Sequence, residues 1–438
     1  MMGRVAVLSG VLMSLAAACA VSAGAATYYI SDSGDDGMDG RTPARAIRTL
    51  GRLQGLDLHG GDSLLFARGG EWRGALMLRS GDAGAPLVYG AYGAGAAPVL
   101  KGSILSSEEA DWVFRDGFWV YGGLLPAEVG NIIFEGGVGR RRWRLEECVD
   151  NLDFHYDVPE GVLRVKAAEN PVAALGNVEI ALNRNVVTGY GVCHVVVCDL
   201  AICYGAAHGI QLTGCSHVEI TRNDISWIGG GTCPGMTEVR YGNGVELWGG
   251  NDHISVTGNH IHDIYDTGVT NQNHSSSARQ EHILYAGNVI ERCGMYSFEM
   301  WNNGLDGSTL KDVAFVGNEC RDAGGGWGRQ RPDIVGYHIN WGAVHAETVD
   351  IVIADNTFID GNGLVLGYID ATGVPPWYSA VVMRDNIYSI GASARHKACY
   401  LFCDNIDKTY AFGIGQREAC EAFCGVRLGV EGQVRNGE

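Results

Sequence analysis

The sequence predicts an all-β solenoid, a parallel β-helix, and three observations predict it. A run of alternating apolar side chains closed by asparagine recurs along the chain, at Asn223, Asn259, Asn288, Asn318, Asn356 and Asn386. These asparagines stand 36, 29, 30, 38 and 30 residues apart. Glycine is abundant, 65 residues against 10 prolines, about twice its usual share of roughly 7%.

Alternation marks strands, in which every second side chain points inward. A repeat of this length made of several short strands cannot bury its apolar face alone, so successive copies must stack. The runs are Val218–Asn223, Ile254–Asn259, Ile283–Asn288, Val313–Asn318, Ile351–Asn356 and Val381–Asn386. Each leads into a second short stretch such as Asp224-Ile225-Ser226 or Val289-Ile290-Glu291. Val195–Leu200 has the strand pattern without the asparagine. The asparagine falls at a bend, where its amide can bond along the stack and satisfy backbone groups that a turn leaves unpaired. Glycine without proline excludes collagen, and 46% hydrophobic residues exclude a disordered chain. Tight turns between short strands account for it, including the run Gly229-Gly230-Gly231, which lacks the strand-to-helix setting of a nucleotide site.

The N-terminal residues read as an export signal, expected over residues 1–25. Arg4 supplies positive charge, Val5 to Val21 is a short apolar stretch, and Ala23-Gly24-Ala25 offers a cleavage site. Cys19 keeps a lipid-anchored form open as the lesser alternative. The expected location is secreted or periplasmic, with no membrane span. A formal net charge of −18 repels phosphate backbones, so no nucleic-acid partner is expected. Without Cys19 there are 12 cysteines, an even number suited to an oxidising compartment. Cys399, Cys403, Cys420 and Cys424 are spaced i, i+4 in two pairs. They are expected to form two disulfides clamping a helical hairpin, with zinc as the alternative. Cys193, Cys198, Cys203 and Cys215 are read either as stacked interior thiols or as bridges.

Several segments carry a family resemblance. Tyr28–Gly34, Asp39-Gly40 and Pro43-Ala44-Arg45-Ala46-Ile47-Arg48-Thr49-Leu50 resemble the opening segment and short N-terminal capping helix of the secreted right-handed parallel β-helix proteins of the pectate-lyase-like superfamily. Gly61–Phe66 and Gly69–Gly74 resemble the first coil that follows. Asp153–Asp157 through Leu163-Arg164-Val165 to Asn170-Pro171 resembles a small β-rich insertion of some β-helix glycosidases. The likeness implies right-handed coils and carbohydrate processing, but not the reaction, because that superfamily holds lyases, hydrolases, epimerases and non-enzymes. The expected parts are a cap and first coils over 27–104, the inserted module over 105–180, the main β-helix over 181–392 and a cysteine-bearing tail over 393–438.

A second recurrent strand carries the chemistry. Its members are Gly209–Thr213, Gly244–Trp248, Gly268–Gln272, Ser297–Trp301, Ala343–Glu347 and Gly363-Leu364-Val365. With the second residue of each pointing inward, the third and fifth face outward. Stacking writes one column of Gln211, Glu246, Thr270, Glu299, His345 and Val365, and another of Thr213, Trp248, Gln272, Trp301 and Glu347. Tryptophan stacks on the apolar face of a sugar ring while amides and carboxylates bond its hydroxyls, so this is the composition of a carbohydrate site. Neighbouring strands lie about 4.8 Å apart, which places Glu246 and Glu299 roughly 9–10 Å apart before their side chains lean. That is within reach of the ~6.5–9.5 Å an inverting glycosidase needs between its two carboxyls. His345 and Asp333 complete the expected catalytic set. The expected substrate-binding residues are Gln211, Trp248, Gln272, His274, Trp301, Asn303, Arg331, His338 and Glu347.

The expected function is that of a glycoside hydrolase acting on a polysaccharide or oligosaccharide, as a monomer and without a required cofactor. A polysaccharide lyase or uronan epimerase is the alternative. It needs a base and a cation that neutralises the uronate carboxyl, which Arg331 or a Ca²⁺ held by Glu246 and Glu299 would supply. A non-catalytic carbohydrate-binding protein is the third reading.

Overall fold

The computed structural model describes residues 24–274, 276–332, 336–342, 347–368, 376–391, 399–403 and 409–435. The coils form a right-handed parallel β-helix with three faces. One turn shows the plan. Val245–Trp248 lies on the first face, Ile254–Thr257 on the second and His260–Ile264 on the third. Each pairs in parallel with its counterpart one coil on: Val245 with Val269, Ile254 with Ile283, His260 with Val289. Among the described residues, the third face is a continuous ten-stranded parallel sheet. Val245, Leu247, Ile254, Val256 and Ile261 point into the coil and are buried. Burial of each such side chain stabilises the fold by about 1.5–3 kcal/mol.

The recurrent asparagines form a ladder at the bend between the second and third faces. Asn223 Nδ2 donates to Asn259 Oδ1 at 3.1 Å, Asn259 to Asn288 at 3.0 Å and Asn288 to Asn318 at 2.9 Å. Asn318 continues to Asn356 and Asn356 to Asn386. From Asn259 on, each Oδ1 also accepts the backbone N–H of the asparagine one coil earlier, as Asn288 Oδ1 does from Asn259 N at 3.0 Å, while Asn223 Oδ1 accepts from Leu200 N at 3.1 Å. The bend's polar groups are thereby paired inside the protein.

The corner between the first and second faces holds a second column. His194, His217, His253, His282, Asp312 and Asp350 all have φ between 52° and 56°, a left-handed conformation that Asp and His tolerate better than most residues. The imidazoles stack, with ring centroids 4.6, 4.7 and 4.3 Å apart from one coil to the next.

At the N-terminal end, Leu50–Gln54 is helical and buries Leu50 and Leu53, with Thr49 Oγ1 capping Arg52 N at 3.2 Å. Pro43–Arg45 is a single 3-10 turn, so the cap helix begins later than the sequence resemblance implied. Between Ser103 and Leu182, two small sheets of largely antiparallel strands enclose their own core of Trp112, Ile132, Phe154, Leu163 and Ile180. This module grips the loops of the main coils. Arg141 pairs with Glu128, whose carboxylate also takes the Thr232 hydroxyl, and Arg240 Nη2 donates to Gly130 O at 3.2 Å.

The C-terminal part departs from expectation. Cys399 and Cys403 lie at a strand, Tyr400–Cys403, and only Cys420 and Cys424 lie on a helix, Arg417–Cys424. The clamped helical hairpin is therefore not formed, and the 12 described cysteines are all free thiols. Apolar Tyr400 and Phe402 alternate into the core, so strand period overrides the i, i+4 cysteine spacing. Residues 1–23, with the expected export signal and Cys19, lie outside the described residues. Among the described residues, no helix is long and apolar enough to cross a membrane.

Candidate active site

The first face brings the two columns together over its central coils. Gln211 pairs with Glu246, Glu246 with Thr270 and Thr270 with Glu299. Beside them, Thr213 pairs with Trp248, Trp248 with Gln272 and Gln272 with Trp301. Glu246 and Glu299 thus stand two strand spacings apart, about 9.6 Å at the backbone.

Beyond Glu299 the expected register fails. The next strand is Tyr337–Trp341, which sets Asn340 opposite Glu299 and Ile339 opposite Phe298. Ile339 and Trp341 fill the interior, and a shift of pairing segment changes which side chains face outward. Asn340 therefore occupies the position expected for His345. Leu366, not Val365, follows it, because Val365 pairs with Ile339 and points inward. Glu347 starts a strand on the second face opposite Thr309 and leaves the site. His345 and Asp333 lie outside the described residues. His338 is buried, with Nδ1 against Ser297 Oγ at 3.0 Å and Nε2 against the Asp360 carbonyl at 3.0 Å. Burial depresses its pKa to about 4. Both ring nitrogens are engaged within the protein, and the side chain faces away from solvent.

The two carboxyls are held differently. Glu246 is wholly buried. Its Oε2 accepts from Asn243 Nδ2 at 2.6 Å and Thr270 Oγ1 at 2.8 Å, while Oε1 has no protein hydrogen-bond partner. Burial pushes its pKa up to about 8, against the pull of those two donors, and the charges of Glu299 and Asp266 add to the rise. Glu299 keeps a 7% exposed edge. Gln272 Nε2 donates to its Oε2 at 2.6 Å and Asn340 Nδ2 to its Oε1 at 2.8 Å. Burial and the Asp266 charge raise it to about 7, opposed by both amides and by Arg331.

Loops that join the third face to the next first-face strand roof this pair. The hairpin of Gly231–Thr232 and Arg240–Tyr241 brings Tyr241 and Cys233 into electrostatic range of Glu246. His208 Nδ1 lies 3.9 Å from Glu246 Oε2 and accepts the Asn243 N–H at 3.1 Å. With its pKa depressed to about 3 by burial, His208 is a neutral neighbour and not an ion-pair partner. Asp266, on the short loop before Val269, meets Arg331 at 3.3 Å, and Arg331 lies over the Tyr265 ring at 5.1 Å. Sequence reading missed His208, Asn243 and Asp266. Asn243 and Asp266 precede the recurrent strands by two or three residues, and a loop's direction has no periodic signature.

The open part of the face is aromatic. His274 lies between the two tryptophans, 5.4 Å from Trp248 and 6.3 Å from Trp301 between ring centroids. Tyr368 meets Trp301 edge-on at 5.1 Å. Gly342 is required beside it, because a Cβ there would come within 2.3 Å of Trp301 Cε3. Asn303 flanks His274 in register. Gln211 accepts from Asn185 one coil before Glu246. A concavity of about 710 Å³ beside Arg417–Ala419 and Tyr400 includes none of these side chains.

No family model matches the sequence, and no curated protein matches it. Among solved structures, one described as a glycoside hydrolase is similar with a TM-score of 0.52 at 10% identity, over 87% of this chain and 96% of that one. The complex of XylC with xylose has a TM-score of 0.48 at 10% identity, covering 89% of this chain and 73% of that one. Pectate lyase Pel9A has a TM-score of 0.48 at 10% identity, covering 86% and 78%. At these identities the likeness is one of fold, the right-handed parallel β-helix.

Proposed function

We propose that the protein is a carbohydrate-active enzyme, a glycoside hydrolase in which Glu246 is the general acid and Glu299 the general base. One observation carries the assignment: two carboxyls two strands apart are both raised toward neutrality, beside a row of aromatic rings. Oε2 of Glu246 is occupied by two donors, so its proton resides on the unpartnered Oε1, which then gives it to a leaving-group oxygen. Both oxygens of Glu299 accept hydrogen bonds, which favours the ionised form a base needs. A separation near two strand spacings leaves room for the attacking water of an inverting mechanism. Trp248 and Trp301 supply stacking surfaces for sugar rings on either side. Glu246 is wholly buried, so substrate access requires the loops around it to open.

The lyase alternative asks for a cation facing the substrate carboxylate. Arg331 is turned to Asp266, and Glu246 Oε2 and both Glu299 oxygens already take N–H and O–H donors, leaving only Glu246 Oε1 where Ca²⁺ needs roughly six to eight oxygens. That donor set does not fit calcium. A panel of neutral and uronate-containing oligosaccharides, followed by product mass, reducing-end assay and ultraviolet absorbance, tests the reading. Hydrolysis adds water and creates reducing ends. Unsaturated uronyl products, or retention of sugar without cleavage, would overturn it.

A further inference from the structure

The third face carries a cluster that the hydrolase reading does not use. Asp224, His260 and His262 project outward from neighbouring coils, and one ligand atom of each lies within 4.8 Å of the others. Asp224 Oδ2 is 3.0 Å from His260 Nδ1, and Asp224 Oδ1 is 3.4 Å from His262 Nε2. The imidazole rings stack at 4.1 Å between centroids, so both nitrogens present to the same carboxylate. We propose that these three side chains form a binding site for a divalent transition metal, zinc(II) being the probe.

The surroundings carry this beyond a chance cluster. Each imidazole has its other nitrogen fixed by a separate carboxylate: His262 Nδ1 by Asp263 Oδ2 at 2.8 Å, His260 Nε2 by Glu291 Oε1 at 3.1 Å. Such outer carboxylates set ring orientation and raise ligand basicity in histidine metal sites. Asp263 and Glu291 are themselves held by Arg292, at 2.8 and 2.7 Å. Asp224, Asp263 and Glu291 outnumber the one guanidinium, so the cluster with neutral imidazoles is net negative and favours a cation, whose binding displaces the proton that these carboxylates hold on His262. Two imidazoles and a carboxylate are a common zinc donor set, and it leaves a coordination position open. Asp224 and His260 also line a groove of about 280 Å³ together with Asp199 and Arg222. The other His-Asp group, Asp252 with His253 and His282 on the corner ladder, has no outer carboxylate on either imidazole among the contacts of the described residues and serves as the control.

The test is zinc titration of the tag-free full-length protein by calorimetry, with Co²⁺ substitution read by visible spectroscopy. One metal per chain is expected, with d–d bands and no thiolate charge transfer. His260→Ala and His262→Ala are each expected to weaken binding at least about 100-fold, and Asp263→Asn about 10- to 100-fold. His282→Ala is expected to bind as the parent does. Thermal unfolding of each variant without metal establishes that it is folded. Absence of binding by the parent, retention of binding in the His260→Ala/His262→Ala double variant, loss of binding in His282→Ala, or a thiolate band would each overturn the assignment.

Discussion

Replacing Glu246 by Gln should separate stability from activity in a pH-dependent way. The side chain keeps its shape, and an amide oxygen can still accept from Asn243 and Thr270. In the folded protein the Glu246 pKa is about 8, against an ordinary value of 4.5. Between these two pH values the folded chain holds a proton there that the unfolded chain has released. Stability from this group is therefore complete below pH 4.5 and is lost as pH rises through about 8. At about 1.4 kcal/mol per pH unit, the loss amounts to about 5 kcal/mol. Gln cannot ionise, so the variant escapes that loss. Urea unfolding followed by tryptophan fluorescence at pH 5, 7 and 9 should show the stability difference, variant minus parent, growing by several kcal/mol across the range. Groups common to both chains cancel in that difference. The variant should at the same time lose hydrolysis at every pH. Parallel stability curves would mean that Glu246 ionises like a solvated carboxylate and cannot hold a proton for catalysis at neutral pH, which would refute the acid assignment.

Four further outcomes follow from the structure. The rate profile of kcat/KM should be a narrow bell between about pH 7 and 8, falling about twenty-fold by pH 5.5 as Glu299 becomes protonated. Glu299→Gln should remove the acid limb and cost about 10²–10⁴ in kcat. Trp301→Ala should raise KM about tenfold, the loss of roughly 1.4 kcal/mol of ring stacking, with a smaller effect on kcat, measured by initial rates. Asn288→Ala removes two bonds accepted from Asn259 and two donated to Val256 O and Asn318. It should therefore lower stability by about 4 kcal/mol in denaturant unfolding, taking roughly 1 kcal/mol for each bond.

What could be read from the chain alone is what repeats. Alternation ending in Asn223, Asn259 and their successors recurs because every coil meets the same stacking problem. Fold and asparagine ladder are therefore legible, and so is the alignment of Glu246, Trp248, Gln272, Glu299 and Trp301, whose strands share one register. Register among rival segments was decided only in three dimensions. Tyr337–Trp341 and Ala343–Glu347 alternate equally well, and the interior volume filled by Ile339 and Trp341 chose the first. Burial of the two carboxyls was likewise settled by loops, since the Gly231–Tyr241 hairpin and the Asp266–Arg331 pair come from irregular segments that no period aligns. The cluster of Asp224, His260 and His262 joins coils 36 residues apart through side chains that look like ordinary solvated polar residues in sequence. Local pattern determines which residues face outward, whereas long-range packing determines which of them meet.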